Sequence, residues 1–400
     1  MRSIFTHPLS ANQSYKIGVV TGILHPTYGG PSTVVQMHIK GLSAYSTIEI
    51  FCVAKRDEVK HISNTFPNAK VFPRTFPDRW FRGKGLKDEL IKSAVKLDII
   101  HAHMLWDYPV YAAWRASKLA RKPLVITTHG SLSAPWRYKA IHKRIYRRLI
   151  LDRILNDTSF IQVLNTDEAS ACREFGVPCN VRVIPNGIPS TEFHCYRDPA
   201  GALRKWPQLR DKRILLYLGR LWSEKGLDIL PEAWAETLKD SKNALDWLLV
   251  IAGPDYRNYQ IKLLSRIKSL GIEPHVLFTG LIDVKLKESL LAVAECFVLP
   301  SHGEGFSMAL LEAMAAGLPA LYTTECHFSE LAANGGGWEI SAQKNELVQW
   351  LCEIVSFDQE ALQAVGKKAW ILGRERYTLE SVTEELVSLY KEAISLQDKQ

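Results

Sequence analysis

Two carboxylates, Glu304 and Glu312, stand eight positions apart in the stretch CFVLPSHGEGFSMALLEAMAAGLP, from Cys296 to Pro319. Phe297-Val298-Leu299 is a short apolar run that fits a parallel strand, and Pro300 ends it because proline donates nothing to a ladder. Ser307 fits an N-cap, Met308 to Ala316 is rich in helix formers, and Gly317 with Pro319 stops the helix. Glu304, bracketed by Gly303, Gly305 and Phe306, is thereby placed on the loop at the carboxyl end of a strand. Glu312 falls about one turn into the helix. In open α/β sheets that edge is where ligands bind. The unpaired N–H groups and positive dipole end of such a helix suit a phosphate. The plainer alternative is that the dipole alone favours glutamates near a helix start.

A second motif, LYLGRLWSEKG from Leu216 to Gly226, reads as a strand ending at Gly219 and a helix beginning after Gly226. Arg220 and Lys225 then share one loop and can converge on one anion. A departing diphosphate needs preplaced positive charge of this kind. Arginine supplies a planar fork and lysine a point charge. Alone, the pair reads equally as two solvated cations. Gly29-Gly30-Pro31 follows the first strand and opens a helix. It is not a G-x-G-x-x-G fingerprint, and a plain turn competes with a phosphate loop. Thr127-Thr128-His129-Gly130-Ser131 follows another strand. Alternation in Asp98-Ile99-Ile100-His101-Ala102-His103 puts His101 and His103 on one side, a spacing that can suggest a metal. With no third ligand evident, no metal is expected there.

In this order the glycine loop, Thr128-His129-Gly130, Pro185-Asn186-Gly187, Gly219-Arg220 with Lys225-Gly226, and the paired glutamates resemble the signature set of retaining glycosyltransferases of family 4. Those enzymes have the GT-B fold of two Rossmann domains. The resemblance covers the chain from about Ile17 to Leu389. It implies that Glu304 contacts hydroxyls of a donor sugar, Glu312 the ribose hydroxyls, and Arg220 with Lys225 the diphosphate. His129 would face the donor sugar and reacting centre. The backbone at Gly29 and Gly30 would approach phosphates and acceptor, and His103 would lie on the acceptor side, with His101 structural. Gly219 and Gly253 would lie on donor-side loops, and the backbone near Leu281 and Ile282 would read the base. Gly305, Phe306, Ser307 and Met308 would add N–H donors. There is no Asp-x-Asp, the motif with which GT-A enzymes hold a divalent ion. No metal or other cofactor is therefore expected beside the nucleotide-sugar substrate.

These residues need elements to position them. Strand signals occur at Tyr15–Val20, Ile48–Val53, Ile99–Ala102, Leu124–Thr127, Phe160–Leu164 and Val181–Ile184, with a helix from about Thr33 to Ala44. A second series runs through Arg213–Leu218, Trp247–Ala252, Val276–Thr279 and Cys296–Pro300. Strands alternating with helices predict an α/β protein with two parallel, doubly wound Rossmann-like domains. The expected division is residues 1–190, binding acceptor, and 191–378, binding nucleotide sugar, with a linker near Pro185–Pro199. A terminal helix at about 379–400, with Val382, Leu386, Leu389 and Ala393 on one side, is expected to cross back onto the first domain.

With 46% hydrophobic and 23% charged residues, the 400-residue chain has the composition of a soluble globular protein. No run of eighteen apolar residues predicts a membrane span, and MRSIFTHPLSANQSYK lacks a signal-peptide core. Seven cysteines, with no Cys-x-x-Cys pair, point to reduced thiols in the cytoplasm. The net charge of +8 is less informative than its placement. From Trp136 to Arg148 lie Arg137, Lys139, Lys143, Arg144, Arg147 and Arg148 with no acid. Ile141, Ile145 and Leu149 recur every four residues, so a basic amphipathic helix over 136–153 is expected to meet an anionic membrane surface, with Trp136, Tyr138 and Tyr146 at the headgroups. Each cation near such a surface contributes about 1 kcal/mol. The competing reading buries Ile141 and Ile145 in the core. No nucleic-acid motif accompanies the patch.

The expectation is a retaining, metal-independent hexosyltransferase on the cytoplasmic face of the plasma membrane. It would move glucose from UDP-glucose, or mannose from GDP-mannose, to a lipid-linked glycan. A GT-B epimerase and a non-catalytic nucleotide-sugar sensor are the alternatives.

Overall fold

The computed structural model describes residues 15–132, 140–193 and 197–398. The chain forms two compact units, Met1–Ile184 with Thr383–Gln400, and Pro185–Val382. The first division falls at 184/185, several residues before the expected boundary.

The first unit holds β1 (Tyr15–Thr21), β2 (Ser46–Ala54), β3 (Ala69–Thr75), β4 (Arg82–Gly83), β5 (Ile99–His103), β6 (Leu124–Thr127), β7 (Phe160–Val163) and β8 (Asn180–Val183). Among the described residues its sheet runs β4-β3-β2-β1-β5-β6-β7-β8, parallel except for the β3–β4 pair. Ile17, Val19, Ile99, Ile100, Val125 and Ile126 have no exposed surface, as expected for strands covered on both faces. The sequence reading omitted β3 because AKVFPRT is half-buried, carries Pro73 and shows no clean alternation. The helix after β1 spans Gly30–Leu42 and starts earlier than expected, because Pro31 suits a first turn.

The last helix, Leu379–Gln397, buries Val382, Leu386, Leu389 and Ala393 completely, and from Thr383 onward it belongs to the first unit. Tyr390 Oη lies 2.6 Å from His101 Nδ1, and Glu392 pairs with Arg182.

The second unit holds β9 (Arg213–Leu218), β10 (Trp247–Ala252), β11 (Val276–Gly280), β12 (Cys296–Leu299), β13 (Ala320–Thr323) and β14 (Gly337–Ile340), all parallel in the order β11-β10-β9-β12-β13-β14. The chain goes outward from β9 to β11 and returns to β12, so the loops after β9 and β12 flank a topological switch point. β13 and β14 escaped the sequence reading because each has four residues and glycine or proline in front of it. The described part of the expected linker is folded into this unit. Ile188 N–H donates to Tyr377 O at 3.0 Å and Leu379 N–H to Ile188 O at 2.6 Å.

Candidate active site

The loops after β9 and β12 bring two of the expected residues into contact. Lys225 Nζ lies 2.7 Å from the Glu304 carboxylate, with the side chains 19% and 13% exposed. Lys225 sits on a 3₁₀ turn, Ser223–Lys225, and the next helix begins at Leu230, not directly after Gly226. Gly226 closes that turn at φ 78°, and a Cβ there would lie 2.0 Å from Pro300 O. Only glycine allows the turn to press against the end of β12. Ser301 Oγ and His302 N–H both donate to Glu224 O, at 3.0 and 2.8 Å, which fixes the same contact from the other side.

Gly253, at φ 144°, would place a Cβ 1.9 Å from Gly219 O, so the loops after β9 and β10 also touch through glycine. Arg220, expected to share an anion with Lys225, has a different neighbour here. It is exposed, with its guanidinium 5.5 Å from the Tyr256 ring, while Lys225 is engaged by Glu304. The Tyr217 hydroxyl donates to Arg220 O at 3.1 Å and orders that stretch.

Ser307 caps the helix Met308–Ala315 by accepting from Leu310 N–H at 3.2 Å. Phe306 packs 4.6 Å from Phe328, which anchors the segment Gly305–Met308. Glu312 is paired with Lys287 Nζ at 2.7 Å, the two side chains 26% and 30% exposed. Lys287 was not foreseen. It lies on the helix Val284–Val293, in a stretch that reads as a solvated face. The same helix follows Leu281, 75% exposed, and half-buried Ile282 at the end of β11. Each carboxylate is thus charge-balanced by a lysine at partial burial, where an unpaired charge is costly. Cys326, buried close to Glu304 and Lys225, is no nucleophile, since burial pushes its thiol up to about 12.

In the first unit a cavity of about 1010 Å³ opens at the switch point between β1 and β5. Ile23 after β1, Trp106 after β5 and His129 after β6 contribute to its wall. Met104 and His129 on this wall hold left-handed backbone, at φ 78° and 49°. Such strain persists where the surroundings enforce it. For His129 the enforcing group is Glu168, a second residue that sequence reasoning missed. Its fully buried carboxylate accepts from Thr128 Oγ1 at 2.5 Å, Gly130 N–H at 2.6 Å and Leu164 N–H at 2.9 Å. In the sequence it reads as the third residue of a helix capped by Asn165. At Gly30 nothing lies within 4 Å of a would-be Cβ, so this backbone is open to approach.

Behind His129 lie three more buried imidazoles. His103 Nδ1 is 3.0 Å from His129 Nε2, and the rings of His101 and His103 are 4.3 Å apart. His103, expected on the acceptor side, has no exposed surface and lies behind His129. Thr127 donates to Gln162 Oε1 at 2.6 Å, so His101 Nε2–H donates to Thr127 and His101 Nδ1 accepts from Tyr390. Both His101 nitrogens are therefore committed to structure. His103 Nε2 is buried without a partner. A bare lone pair costs less there than an orphaned N–H. His103 thus donates from Nδ1, and His129 carries its proton on Nδ1.

Burial holds all four imidazoles neutral, with His38 lowered to about 4, His129 to about 3, and His101 and His103 well below their ordinary value. The folded values lie below the unfolded value of 6.5, so this stability is present above pH 6.5 and is lost as pH falls. Each histidine can steepen that loss by up to about 1.4 kcal/mol per pH unit. Neither His38 nitrogen has a hydrogen-bond partner. His38→Leu is expected to leave Tm near wild type at pH 7.5 and to flatten its fall towards pH 5 by about a quarter. Thermal melts at both pH values check this, and an unchanged slope would contradict it.

The basic segment is a helix, Ile141–Tyr146, continued by a π turn at Arg147–Leu151 and by Asp152–Asp157. Ile141, Ile145 and Leu149 are 75%, 54% and 56% exposed, so they do not lie in the core. Tyr146 faces inward onto the cavity and not outward to a headgroup layer. Arg147 is drawn to Asp152 and the Phe175 carbonyl, whereas Arg144 and Arg148 are exposed. Trp136, Arg137, Tyr138 and Lys139 lie outside the described residues. No described helix is long and apolar enough to cross a membrane.

Residues 28–192 match the family model described as Glycosyltransferase Family 4, and residues 202–369 the one described as Glycosyl transferases group 1. An uncharacterized glycosyltransferase of Methanocaldococcus jannaschii is 28% identical over 318 residues, 75% of this chain and 77% of that protein. The GDP-mannose:cellobiosyl-diphosphopolyprenol alpha-mannosyltransferase of Xanthomonas oryzae is 30% identical over 254 residues, 62% of this chain and 60% of that protein. The crystal structure of Anabaena HepE with UDP superposes with a TM-score of 0.79 at 18% identity, covering 94% of this chain and all of that one. This likeness establishes the GT-B fold.

Proposed function

The chain belongs to the group 1 glycosyltransferases of family 4, and from that premise we propose that it transfers a hexose from a nucleoside diphosphate to a lipid-linked glycan with retention at the anomeric carbon. The observation that carries this reading is the Lys225–Glu304 pair at the β9–β12 switch point. On donor binding, Lys225 exchanges its carboxylate partner for the leaving diphosphate, and Arg220 closes on the same anion from the exposed end of the loop. Glu304, released, accepts from sugar hydroxyls, and Glu312 with Lys287 holds the ribose. The bond from the anomeric carbon to the β-phosphate oxygen breaks, and the acceptor oxygen bonds that carbon on the same face. The acceptor proton passes to the departing phosphate, and nucleoside diphosphate leaves. Lys225 and Arg220 supply the positive charge in this scheme, without a metal.

UDP-glucose is the donor we favour, and GDP-mannose is next. HepE is described with UDP-glucose and the Xanthomonas relative with GDP-mannose. A lipid-linked acceptor accords with that relative, named for a diphosphopolyprenol substrate, and with an Escherichia coli galactosyltransferase named for a diphosphoundecaprenol one, 28% identical over 274 residues. The decisive experiment screens nucleotide sugars for thermal stabilisation, then measures nucleotide release with and without lipid-linked acceptors. Release that needs acceptor supports transfer. Conversion of the donor without acceptor points to an epimerase, and binding alone to a sensor.

The exposed Ile141, Ile145 and Leu149, beside Arg144 and Arg148, would insert into an anionic bilayer on the cytoplasmic face of the plasma membrane. Ile141→Ser with Ile145→Ser is expected to weaken co-sedimentation with phosphatidylglycerol vesicles on the order of tenfold. Unchanged sedimentation would remove the membrane contact from the proposal.

A further inference from the structure

The loop after β10 sets a second arginine beside the loop that carries Arg220 and Lys225. Beyond Gly219 and Gly253, which follow β9 and β10, Leu221 still pairs with Asp255, and its N–H donates to Pro254 O at 2.9 Å. The two loops therefore leave the sheet side by side. Leu221 is buried, so alternation puts Arg220 and Trp222 on the other side of their segment, where Tyr256 meets both. The Tyr256 ring is 5.1 Å from that of Trp222 and 5.5 Å from the Arg220 guanidinium. The chain then reverses in a turn closed by Tyr259 N–H, which donates to Tyr256 O at 3.3 Å. Both central residues of this turn have left-handed backbone, Arg257 at φ 57° and Asn258 at φ 59°. Such turns favour asparagine and glycine, because longer side chains are strained there. Asn258 fits, and Arg257 does not. What the arginine adds is placed charge. Its guanidinium stands 5.7 Å from the Trp222 ring and 5.1 Å from the Tyr256 ring, so two exposed arginines share one ring. Neither has a carboxylate partner among the described residues, and the neighbouring Asp255 carboxylate is engaged by Gln260 N–H at 3.0 Å. Like charges gathered in this way repel unless an anion joins them.

The turn borders the candidate site. The Tyr217 hydroxyl donates to Arg220 O, and burial, then Glu304, then Tyr259 push that hydroxyl well above its ordinary value. Glu304 and the far end of the turn thus act on the same phenol. In the sheet β10 lies between β11, which leads to Leu281 and Ile282, and β9, which leads to Lys225. A nucleotide laid along this edge, from base to departing phosphate, carries its α-phosphate past the loop after β10. Resting on the transferase reading above, we propose that Arg257 is a donor-binding residue that meets the α-phosphate of the nucleoside diphosphate, with Lys225 on the β-phosphate. The planar guanidinium donates two N–H groups to phosphate oxygens, and the Trp222 and Tyr256 rings beside it narrow the range over which it swings. The two cations then have different duties. The α-phosphate carries its charge before and during the reaction, so Arg257 sets donor affinity, whereas Lys225 meets charge that grows as the bond breaks.

The test is calorimetric titration of the full chain with uridine, UMP and UDP, and with guanosine, GMP and GDP. Wild type is expected to bind one of the two series more tightly at each added phosphate. Arg257→Gly is expected to lose about tenfold from the step between nucleoside and monophosphate and to keep the step from monophosphate to diphosphate. Arg257→Lys, which retains the charge, should stay within about threefold of wild type. Lys225→Ala should show the converse of Arg257→Gly, keeping the first step and losing the second. Melting curves separate binding from structure. Glycine relieves the left-handed backbone, so the Tm of Arg257→Gly is expected at or above that of wild type, whereas an arginine serving the fold alone would lower Tm and leave both steps unchanged. An unchanged first step in Arg257→Gly overturns the proposal, and if Lys225→Ala still loses the second step the transferase reading stands without it. If Arg257→Gly loses the first step but Lys225→Ala keeps the second, the assignment of Arg257 stands and the leaving-group role of Lys225 falls. If wild type binds neither series, both fall together.

Discussion

Lys225→Ala is expected to lower kcat about 100- to 1000-fold, with a smaller rise in donor KM. The inequality follows from where charge develops. A nucleoside diphosphate carries its formal charge in the ground state, but the bond to the sugar adds negative charge to the β-phosphate oxygen only as it breaks. A preplaced cation opposite that oxygen acts mostly on the transition state, and removing one such group costs about 3–4 kcal/mol. Lys225 is suited to this, being 19% exposed and held by Glu304 at 2.7 Å. The substitution also strips Glu304 of its cation at 13% exposure. Lys225→Ala combined with Glu304→Gln should therefore lose less than the sum of the single effects, because the two side chains act as one unit. Lys225→Arg keeps the charge but not the compact ammonium, and should retain about a tenth of the activity. Steady-state kinetics, with melting curves to show that each variant is folded, check the series. Near-normal turnover in Lys225→Ala would remove Lys225 from the leaving-group role.

What the sequence disclosed and what it withheld divide along physical lines. Glu304, Ser307 and Glu312 were legible because one strand, one loop and one helix place them, all within a single apolar and glycine-punctuated stretch. The terminal helix was legible because Val382, Leu386, Leu389 and Ala393 repeat at helical spacing and do face a core. The ion-pair partners were not legible. Lys225 and Glu304 meet only because β9 and β12 are neighbours in the sheet, a register that no local pattern encodes. Lys287 looks like any solvated lysine until the helix that carries it packs near Glu312. Glu168 looks like a capping residue, and its second oxygen and its burial become apparent only when β6 and β7 pair. The aromatic cavity draws single residues from separate segments, each unremarked where it stands. Strand order converts these scattered residues into a site, and strand order is a property of long-range packing rather than of spacing.

Gly226 is where that packing meets the chemistry, and Gly226→Ala tests the connection. At φ 78° an alanine is strained by about 1 kcal/mol, and its Cβ would lie 2.0 Å from Pro300 O, a backbone atom with no rotamer to yield. The 3₁₀ turn must lift away from the end of β12, at a total cost of about 2–4 kcal/mol, which is a Tm lower by roughly 5–10 °C for a unit of this size. The contacts that fix the turn against β12, from Ser301 and His302 to Glu224 O, stretch with it. Lys225 immediately precedes Gly226, so its ammonium moves with the turn. Misplacement by about 1 Å can cost 100-fold in rate. Gly271→Ala separates strain from displacement. Gly271 also sits at positive φ, 71°, in the same unit, but nothing lies within 4 Å of its would-be Cβ. It should lose about 1 kcal/mol and leave kcat per folded molecule unchanged, whereas Gly226→Ala should lose kcat on the order of 100-fold at temperatures where it is fully folded. Equal kcat in the two alanine variants would mean that the turn's seating on β12 does not set the position of Lys225, and that its glycine serves stability alone.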